Sequence, residues 1–161
     1  MIFLVINRAE WVWQNANDES FNGNLRDECL SVDLAELAWE RGYEASHLRD
    51  LGLLRRKDGQ LAPIIFEGDW CFVTKNARDF RGPESAKGSS GEYAGVDLHG
   101  GLVCIHGPPD GFAKAEQLEA FGIALDQIER HGGDATNLLV EIAWAADGIS
   151  YEVAEFPPGA R

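Results

Sequence analysis

Two short apolar runs constrain the fold of this chain more than any other feature. Residues 70–74 read WCFVT and residues 102–106 read LVCIH, and glycine or polar residues flank both runs. Runs of this length, rich in β-branched and aromatic side chains, are typical of strands buried on both faces of a parallel sheet. Parallel neighbours need a crossover connection, usually a helix, so the runs predict an α/β fold with a mainly parallel sheet flanked by helices.

Helical spacing appears between and after these strands. A helix is predicted from Ser31, a good N-cap, to Gly42, which stands where a C′ glycine belongs. A second helix begins at Asp58 and contains Pro63, so we expect it to be kinked or to start late. Residues 113–130 place apolar side chains on one face and acids on the other, which predicts the clearest helix of the chain.

The remaining segments are assigned by alternation and composition. Residues 138–144 and 149–156 alternate around a turn containing glycine, which predicts a C-terminal β-hairpin. Residues 82–95 read GPESAKGSSGEYAG and predict a mobile surface loop. Residues 1–6 predict a buried strand, whereas the polar, Asn-rich residues 7–24 fit no period.

The charge of the chain is strongly negative but uneven. There are 27 acidic and 14 basic residues, a formal net charge of -13, which argues against a protein that coats duplex DNA with basic residues. Residues 35–82 contain 8 basic and 8 acidic residues, whereas residues 83–161 contain 4 basic and 13 acidic residues. We therefore expect a local basic rim, which suits RNA, and a separate acidic surface, which suits a basic segment of a protein partner.

Cysteine usage and hydropathy suggest a compartment. The three cysteines are widely spaced and form no CxxC motif, which is typical of a reducing environment rather than of a disulfide framework or a zinc site. The N-terminus has no basic region before its apolar run, and no stretch of about 18 apolar residues exists to span a membrane. We expect a cytoplasmic protein with no membrane partner.

Acidic residues stand at several predicted strand ends and helix starts. Asp27 and Glu28 precede the first firm helix, Asp58 opens the second, and Asp79 follows the 70–74 strand. Asp50 is expected to be a turn residue. Carboxylates gathered at one rim repel one another unless a cation lies among them, and oxygen ligands suit Mg²⁺. The alternative is that these residues are ordinary helix caps and turns.

A family resemblance favours the metal site. The stretch DECLSVDLAELAWERGYEASHLRDLGLLRRKDGQLAPIIFEGDWCFVTKNARDF, residues 27–80, resembles the PIN-like toxin family of bacterial toxin–antitoxin systems, and residues 81–106 continue the resemblance. The family pattern is an acidic pair, then LSxxLAxLAxxRGYExxHLRDLGL, an acid opening a helix, and a strand ending VTxNxxDF. The resemblance implies a PIN-like three-layer fold over residues 27–161 and a Mg²⁺- or Mn²⁺-dependent ribonuclease site.

The resemblance also implies roles for individual residues. It implies metal ligands at Asp27, its neighbour Glu28, Asp58 and Asp79. Many PIN-like proteins have Asp where Asn76 stands, and Asn offers a carbonyl oxygen without charge. Thr74 could orient water or phosphate with its hydroxyl, or could simply end a strand.

Basic residues surround the acidic motif in sequence. They are expected to contact RNA phosphates or to be ordinary solvated charges: Arg55, Arg56, Lys57, Lys75 and Arg78, with Arg49 and Arg81 in the same cluster. The resemblance also implies a cognate antitoxin as partner, and the acidic helix 113–130 is a candidate surface for that antitoxin or for a second copy of the chain.

A second resemblance lies at the front of the chain. The segment WQNANDESFNGNLRDECL, residues 13–30, is similar to the end of the catalytic core of DDE-type insertion-sequence transposases, in which Glu19 matches the third metal-binding carboxylate. The earlier strands of that core are missing, so transposase activity is not expected. We interpret residues 1–26 as an atypical segment. Either residues 1–6 fill the central strand position and misplace Asp27, or residues 21–26 fill it poorly; burial favours the first.

Three functions follow. The first is a metal-dependent endoribonuclease that acts as the toxin of a toxin–antitoxin system. The second is a catalytically silent PIN-like module that acts through antitoxin or homodimer contacts. The third is a non-functional transposase-fusion fragment. The four histidines show no metal-binding spacing, so ordinary core or surface roles are expected, but His106 stands at a strand end and could serve in chemistry.

Overall fold

The secondary structure follows the predicted alternation. The computed structural model describes residues 4–8, 30–47, 51–52, 56–108 and 110–160. The strands are β1 (Leu4–Arg8), β2 (Tyr43–His47), β3 (Cys71–Thr74), β4 (Leu102–His106), β5 (Leu138–Ala145) and β6 (Gly148–Glu155). The helices are α1 (Asp33–Glu40), α2 (Asp58–Glu67), α3 (Ala77–Arg81) and α4 (Lys114–Arg130), and a short 3₁₀ helix spans Glu84–Ala86.

The strands form one six-stranded sheet in the order β2-β1-β3-β4-β5-β6. β3, β4 and β5 are parallel neighbours, with Thr74 opposite Cys104 and Cys104 opposite Glu141. β1 is antiparallel to β2 and β3, and β6 is antiparallel to β5. Four strands therefore run in one direction and two in the other, which confirms the α/β class, the mainly parallel strand direction and the C-terminal hairpin.

The N-terminal strand occupies the interior of the sheet. β1 lies between β2 and β3, with Leu4 opposite both His47 and Val73. This confirms that an N-terminal segment fills a central position, and it adds a direction that the sequence did not predict. Because β1 is antiparallel to β3, it starts at the edge where β3 ends and runs away from that edge. The proposed boundary at residues 26–27 lies outside the described residues.

Helices cover both faces of the sheet. On one face α1 packs against β1 and β2, and α4 packs against β4 and β5, with a core that includes Leu34, Phe121 and Val103. On the other face α2 and α3 pack through a second core, in which Phe72 and Phe80 meet edge to face with ring centroids 4.7 Å apart. Each of these fully buried side chains contributes roughly 1.5–3 kcal/mol.

The ends of α1 follow the predicted capping pattern, whereas the start of α2 differs from its prediction. The Ser31 hydroxyl accepts a 3.2 Å hydrogen bond from the Asp33 amide just ahead of α1, and Gly42 follows α1 with a φ of 85°. α2 begins at Asp58 and continues through Pro63, so the expected late start does not occur. Among the described residues, no helix combines the length and the apolar character needed to cross a bilayer.

The glycine- and serine-rich loop 82–95 is anchored rather than merely lying on the surface. Glu92 N–H donates to the Asp79 carbonyl and Tyr93 N–H to the Phe80 carbonyl, each at 3.0 Å. Tyr93 is buried in the second core, against Phe66 and His99. The composition of the loop did not predict this attachment, because one buried aromatic side chain and a few backbone hydrogen bonds hold the loop against α3.

Candidate active site at the carboxyl end of β3

Asp58 and Asp79 come together from two helices. Asp58 is the first residue of α2, and Asp79 lies in α3, which begins three residues after β3 ends. Their side chains are hydrogen bonded to each other. The fold therefore brings together two acids that are 21 positions apart in sequence, as the strand-end pattern predicted.

The electrostatics of this pair are unfavourable without a counter-charge. Burial raises the pKa of Asp58 above its usual value, and the negative charge of Asp79, the hydrogen bond to Asp79 and the charge of Glu92 raise it further. Two carboxyl groups in contact must share a proton or a cation, because both cannot be ionised cheaply at this separation. The geometry thus suits a bound cation.

Asn76 and Thr74 support the pair from the end of β3. The Asn76 side-chain amide donates a short hydrogen bond to Oδ2 of Asp79, so the contribution that Asn76 can make to a cation is its carbonyl oxygen. The Thr74 hydroxyl accepts a 2.9 Å hydrogen bond from the backbone N–H of Asn76, and Thr74 is fully buried. Burial and this hydrogen bond favour the alternative that Thr74 ends the strand and shapes the turn into α3, rather than orienting water or phosphate.

Glu92 is a site residue that the sequence did not reveal. Its carboxylate acts on the pKa of Asp58, and a Cβ at Gly59 would lie 3.7 Å from its Oε1. The residue reaches the site because the loop hydrogen bonds to α3, a long-range contact that the loop composition does not encode. The one sequence signal for Glu92 was that it is an acidic residue in the loop that follows Asp79 and Phe80.

The predicted RNA-contacting residues divide into exposed, half-buried and buried groups. Arg56, Lys57 and Arg78 are exposed and lie beside Asp58 or Asp79 in sequence, and Lys75 is half-buried. Arg81 is 3% exposed and pairs with acids, so a role in binding RNA phosphates is wrong for it. The remaining predicted site residues, Asp27, Glu28 and Arg55, lie outside the described residues, as do Glu19, Arg49 and Asp50.

A second acidic cluster lies further along the sheet, at β5 and β6. Oxygens of Glu84, Glu141 and Glu152 all lie within 4.8 Å of one another, a spacing that could hold a metal ion. However, the Lys87 ammonium lies 3.1, 2.5 and 3.6 Å from oxygens of these three residues. Because a lysine already occupies the position of a cation, this cluster is a salt-bridge network and does not fit a metal.

Glu141 is the centre of that network. Its Oε1 accepts hydrogen bonds from Arg81 Nε at 2.8 Å and His106 Nε2 at 3.0 Å. Burial alone would raise the pKa of Glu141, but the bonds from His106, Lys87 and Arg81 outweigh burial and lower the pKa from 4.5 to about 2. Glu141 is therefore a buried, ionised carboxylate at neutral pH.

The other described histidines have structural partners. His47 contacts the Leu30 carbonyl at 3.2 Å, and His99 contacts the Phe156 carbonyl at 2.6 Å, both in the interior. His131 contacts the Gln127 carbonyl at 2.8 Å near the end of α4. The expectation of ordinary roles fits these three residues, and His106 differs because it contacts a carboxylate.

The donor set at β3 fits a hard divalent ion. Asp58 and Asp79 would supply carboxylate oxygens and Asn76 a carbonyl oxygen. Within the described residues, Glu92 does not join this pair at the 4.8 Å mutual spacing, so its contact with an ion would pass through water. Mg²⁺ is typically held by one or two carboxylates while it keeps several waters, which matches this arrangement.

Comparison with known proteins identifies a bacterial relative. The chain is 54% identical over 86 residues to a protein of Sinorhizobium fredii named "Uncharacterized protein y4eN", and the match covers 53% of this chain and 84% of the relative. No protein-family model matches the chain. No solved structure matches it.

Proposed function

The chain belongs to the family of the Sinorhizobium fredii protein y4eN, and we propose that it is a metal-dependent endoribonuclease acting as the toxin of a cytoplasmic toxin–antitoxin system. The observation that carries this proposal is the hydrogen-bonded pair of Asp58 and Asp79 at the carboxyl end of β3. The carboxyl ends of parallel strands are where α/β proteins place their ligands.

The residues of the site would have separate roles in phosphodiester cleavage. Bound Mg²⁺ or Mn²⁺ would supply an activated water and stabilise the charge that develops on the phosphate. Asp58 and Asp79 would hold the ion, and Asn76 would fix the orientation of the Asp79 carboxylate. The pKa of Asp58 is raised because burial and its acidic neighbours destabilise its negative charge, and a bound cation would compensate that charge.

RNA is favoured as the substrate because the basic residues are few and local. Arg56, Lys57 and Arg78 are exposed next to the two acids in sequence. Three positive side chains suit a short length of single-stranded phosphate backbone better than the long contact that duplex DNA needs. They would bind phosphates on either side of the cleaved bond.

An antitoxin with a basic segment is the proposed protein partner. Residues 83–161 contain 13 acidic and 4 basic residues, and Glu119, Glu152 and Glu155 are exposed in this part. Complementary charge accelerates association and selects the partner. A second copy of the chain would meet like charge on this surface, so a homodimer would need another face.

The test measures cleavage and metal binding together. Wild type is expected to cleave single-stranded RNA with Mg²⁺ or Mn²⁺ and to lose cleavage in EDTA. Asp58→Ala and Asp79→Ala are each expected to reduce cleavage by at least about 100-fold and to weaken Mn²⁺ binding, with far-UV circular dichroism unchanged. Asp147→Ala, in the exposed β5–β6 turn, is the matched control and keeps both properties.

The assignment fails if Asp58→Ala or Asp79→Ala retains wild-type cleavage with Mg²⁺. It also fails if wild type cleaves equally well in EDTA. Expression in a bacterial host gives a parallel readout, because the same two substitutions are expected to abolish growth inhibition while Asp147→Ala retains it.

A catalytically silent binding module is the second candidate, favoured by the direction of β1. In the resembling family an apolar strand leads directly into the acidic pair, whereas here β1 runs away from the edge where β3 ends. A site without the acids at 27 and 28 would hold an ion weakly. No Mn²⁺ binding at millimolar concentration, with antitoxin binding retained, would favour this candidate over the nuclease.

A further inference from the structure

His106 lies at the same edge and on the same face of the sheet as the candidate active site. It is the last residue of β4, two positions beyond Cys104, which is paired with Thr74 of β3. Arg81, two residues after Asp79 in α3, and His106 both hydrogen bond to Oε1 of Glu141, so His106 lies on the face of the sheet that α3 covers.

Glu141 fixes the tautomer of the His106 ring. The Nε2 atom of His106 lies 3.0 Å from Oε1 of Glu141. An ionised carboxylate can only accept hydrogen bonds, so Nε2 carries the proton. In the neutral ring Nδ1 then has a lone pair, and among the described residues no hydrogen bond engages that atom. The side chain is 36% exposed, which leaves it open to a ligand.

The surroundings of His106 hold the carboxylate in place. Glu141 is anchored by Arg81 from α3 and by Lys87 from the 82–95 loop. Glu84 pairs with both of these cations, and Glu152 pairs with Lys87. Glu141 is 8% exposed, so its orientation is set by packing as well as by charge. A histidine held by a buried carboxylate is the arrangement that proteins use to position a general base.

We propose that His106 is a catalytic residue of this site, a general base that takes a proton from the attacking water, and that Glu141 is its positioning residue. This rests on the proposed nuclease function. The water oxygen forms a bond to phosphorus as its proton passes to Nδ1 of His106, and the P–O bond to the leaving nucleotide breaks. The leaving oxygen takes a proton from solvent, and His106 later returns its own proton to solvent.

The kinetic test separates this role from binding and folding. His106→Ala is expected to lower kcat by about 100-fold or more, with KM and the Mn²⁺ affinity within about twofold of wild type. Added imidazole is expected to restore several-fold activity to His106→Ala and none to Asp79→Ala. His131→Ala, which removes an exposed histidine at the end of α4, is the control and keeps wild-type kcat.

A spectroscopic test addresses Glu141 without relying on cleavage. The ¹⁵N shifts of His106 in wild type are expected to report the Nε2–H tautomer, and Glu141→Gln is expected to mix the two tautomers. A wild-type ring protonated at Nδ1 alone overturns the positioning role, even if Glu141→Gln does not fold.

The kinetic outcomes distinguish this inference from the proposed function. Wild-type kcat in His106→Ala, or a loss of activity that accompanies lost Mn²⁺ binding and resists imidazole, overturns the role of His106 while the nuclease stands. Absence of RNA cleavage by wild type overturns the nuclease, and the role of His106 with it.

Discussion

Arg81 and Glu141 form an ion pair across the second core, with Nε and Oε1 2.8 Å apart and side chains that are 4% and 8% exposed. Arg81 closes α3, the helix that carries Asp79, and Glu141 lies within β5. The pair therefore links the helix of the candidate site to β5. Removing Glu141 would leave the buried Arg81 paired only with Glu84, and removing Arg81 would leave Glu141 with Lys87 and His106; losing a partner in the interior is more costly than losing an exposed pair.

Glu141 makes the fold sensitive to acid. Its pKa is lowered from 4.5 to about 2, so its ionised form stabilises the folded chain above pH 4.5, and that stabilisation is lost as pH falls towards 2. We expect a loss of about 2–3 kcal/mol from this residue across that interval. Urea unfolding at several pH values between 6 and 3 measures this loss of folding free energy.

Glu141→Gln provides the comparison for the acid sensitivity. The variant is expected to be about 3 kcal/mol less stable at pH 7, because Arg81 remains buried, and to lose less stability than wild type on acidification. Glu119→Gln, on the exposed side of α4, is the control and should follow the wild-type curve. Parallel pH profiles for wild type and Glu141→Gln would contradict the prediction.

Asp58 has the opposite pH dependence. Because its pKa is raised in the folded chain, it favours folding below its ordinary value of 3.8, and this benefit is lost as pH rises through the folded pKa. Asp58→Asn is therefore expected to be more stable than wild type at pH 7 in EDTA, with the difference vanishing near pH 3. Thermal melts of the two proteins check the sign.

Divalent metal should reverse this order. With millimolar Mn²⁺ at pH 7, wild type is expected to gain stability by mass action, whereas Asp58→Asn gains little. Asp147→Asn, in the exposed turn between β5 and β6, should behave as wild type in both conditions. A wild-type melting temperature indifferent to Mn²⁺ would argue against a cation between Asp58 and Asp79.

Gly91 sets the approach of the 82–95 loop to α3. Its φ is 88°, and a Cβ there would lie 2.6 Å from the Phe80 carbonyl oxygen. Gly91→Ala is expected to cost about 2 kcal/mol or more, from backbone strain and collision together, and to weaken Mn²⁺ binding as Glu92 moves away. Chemical denaturation and metal titration measure the two effects.

Gly95 offers the matched control for Gly91. It also has a positive φ, 75°, but no atom lies within 4 Å of its Cβ position. Gly95→Ala should therefore show the cost of strain alone, about 1–2 kcal/mol, with Mn²⁺ affinity unchanged. Equal effects at both glycines would show that the close approach to Phe80 is unimportant.

The buried thiols are predicted to report global unfolding. Cys71 and Cys104 are free and buried, and burial raises the pKa of the Cys71 thiol to about 12 and that of Cys104 well above its usual value. In a Cys29→Ser background, both should react with a thiol reagent at the rate of unfolding, since the thiolate is the reactive form. Rapid stoichiometric labelling of the native protein would contradict this.

Much of the fold was predictable because it follows from local patterns. The runs at 70–74 and 102–106 are strands because apolar, β-rich segments of that length can be buried on both faces, and the structure places them at the centre of the sheet. The amphipathic period of 113–130 yields α4 within one residue. These elements need no knowledge of distant partners, since the period and the flanking residues specify them.

The candidate site was predictable only in part. Asp58 and Asp79 were identified because acids at helix starts and strand ends converge whenever the strands are parallel. The sequence left the role of Thr74 open between orienting a ligand and ending a strand, since its burial and its hydrogen bond from the Asn76 backbone N–H depend on the turn geometry. Arg81 was grouped with basic residues that face RNA, because charge in sequence does not show which cations are paired in the interior.

The sequence by itself determined the α/β class, the order of the strands and of α1, α2 and α4, and the acidic residues that lie near one edge of the sheet, because period, capping residues and composition act locally. Only the tertiary structure decided that β1 runs antiparallel between β2 and β3, that the 82–95 loop delivers Glu92 to the site, and that Arg81, Lys87 and His106 converge on Glu141. These are contacts between residues far apart in the chain, and burial and charge compensation set their energies only once the sheet has assembled.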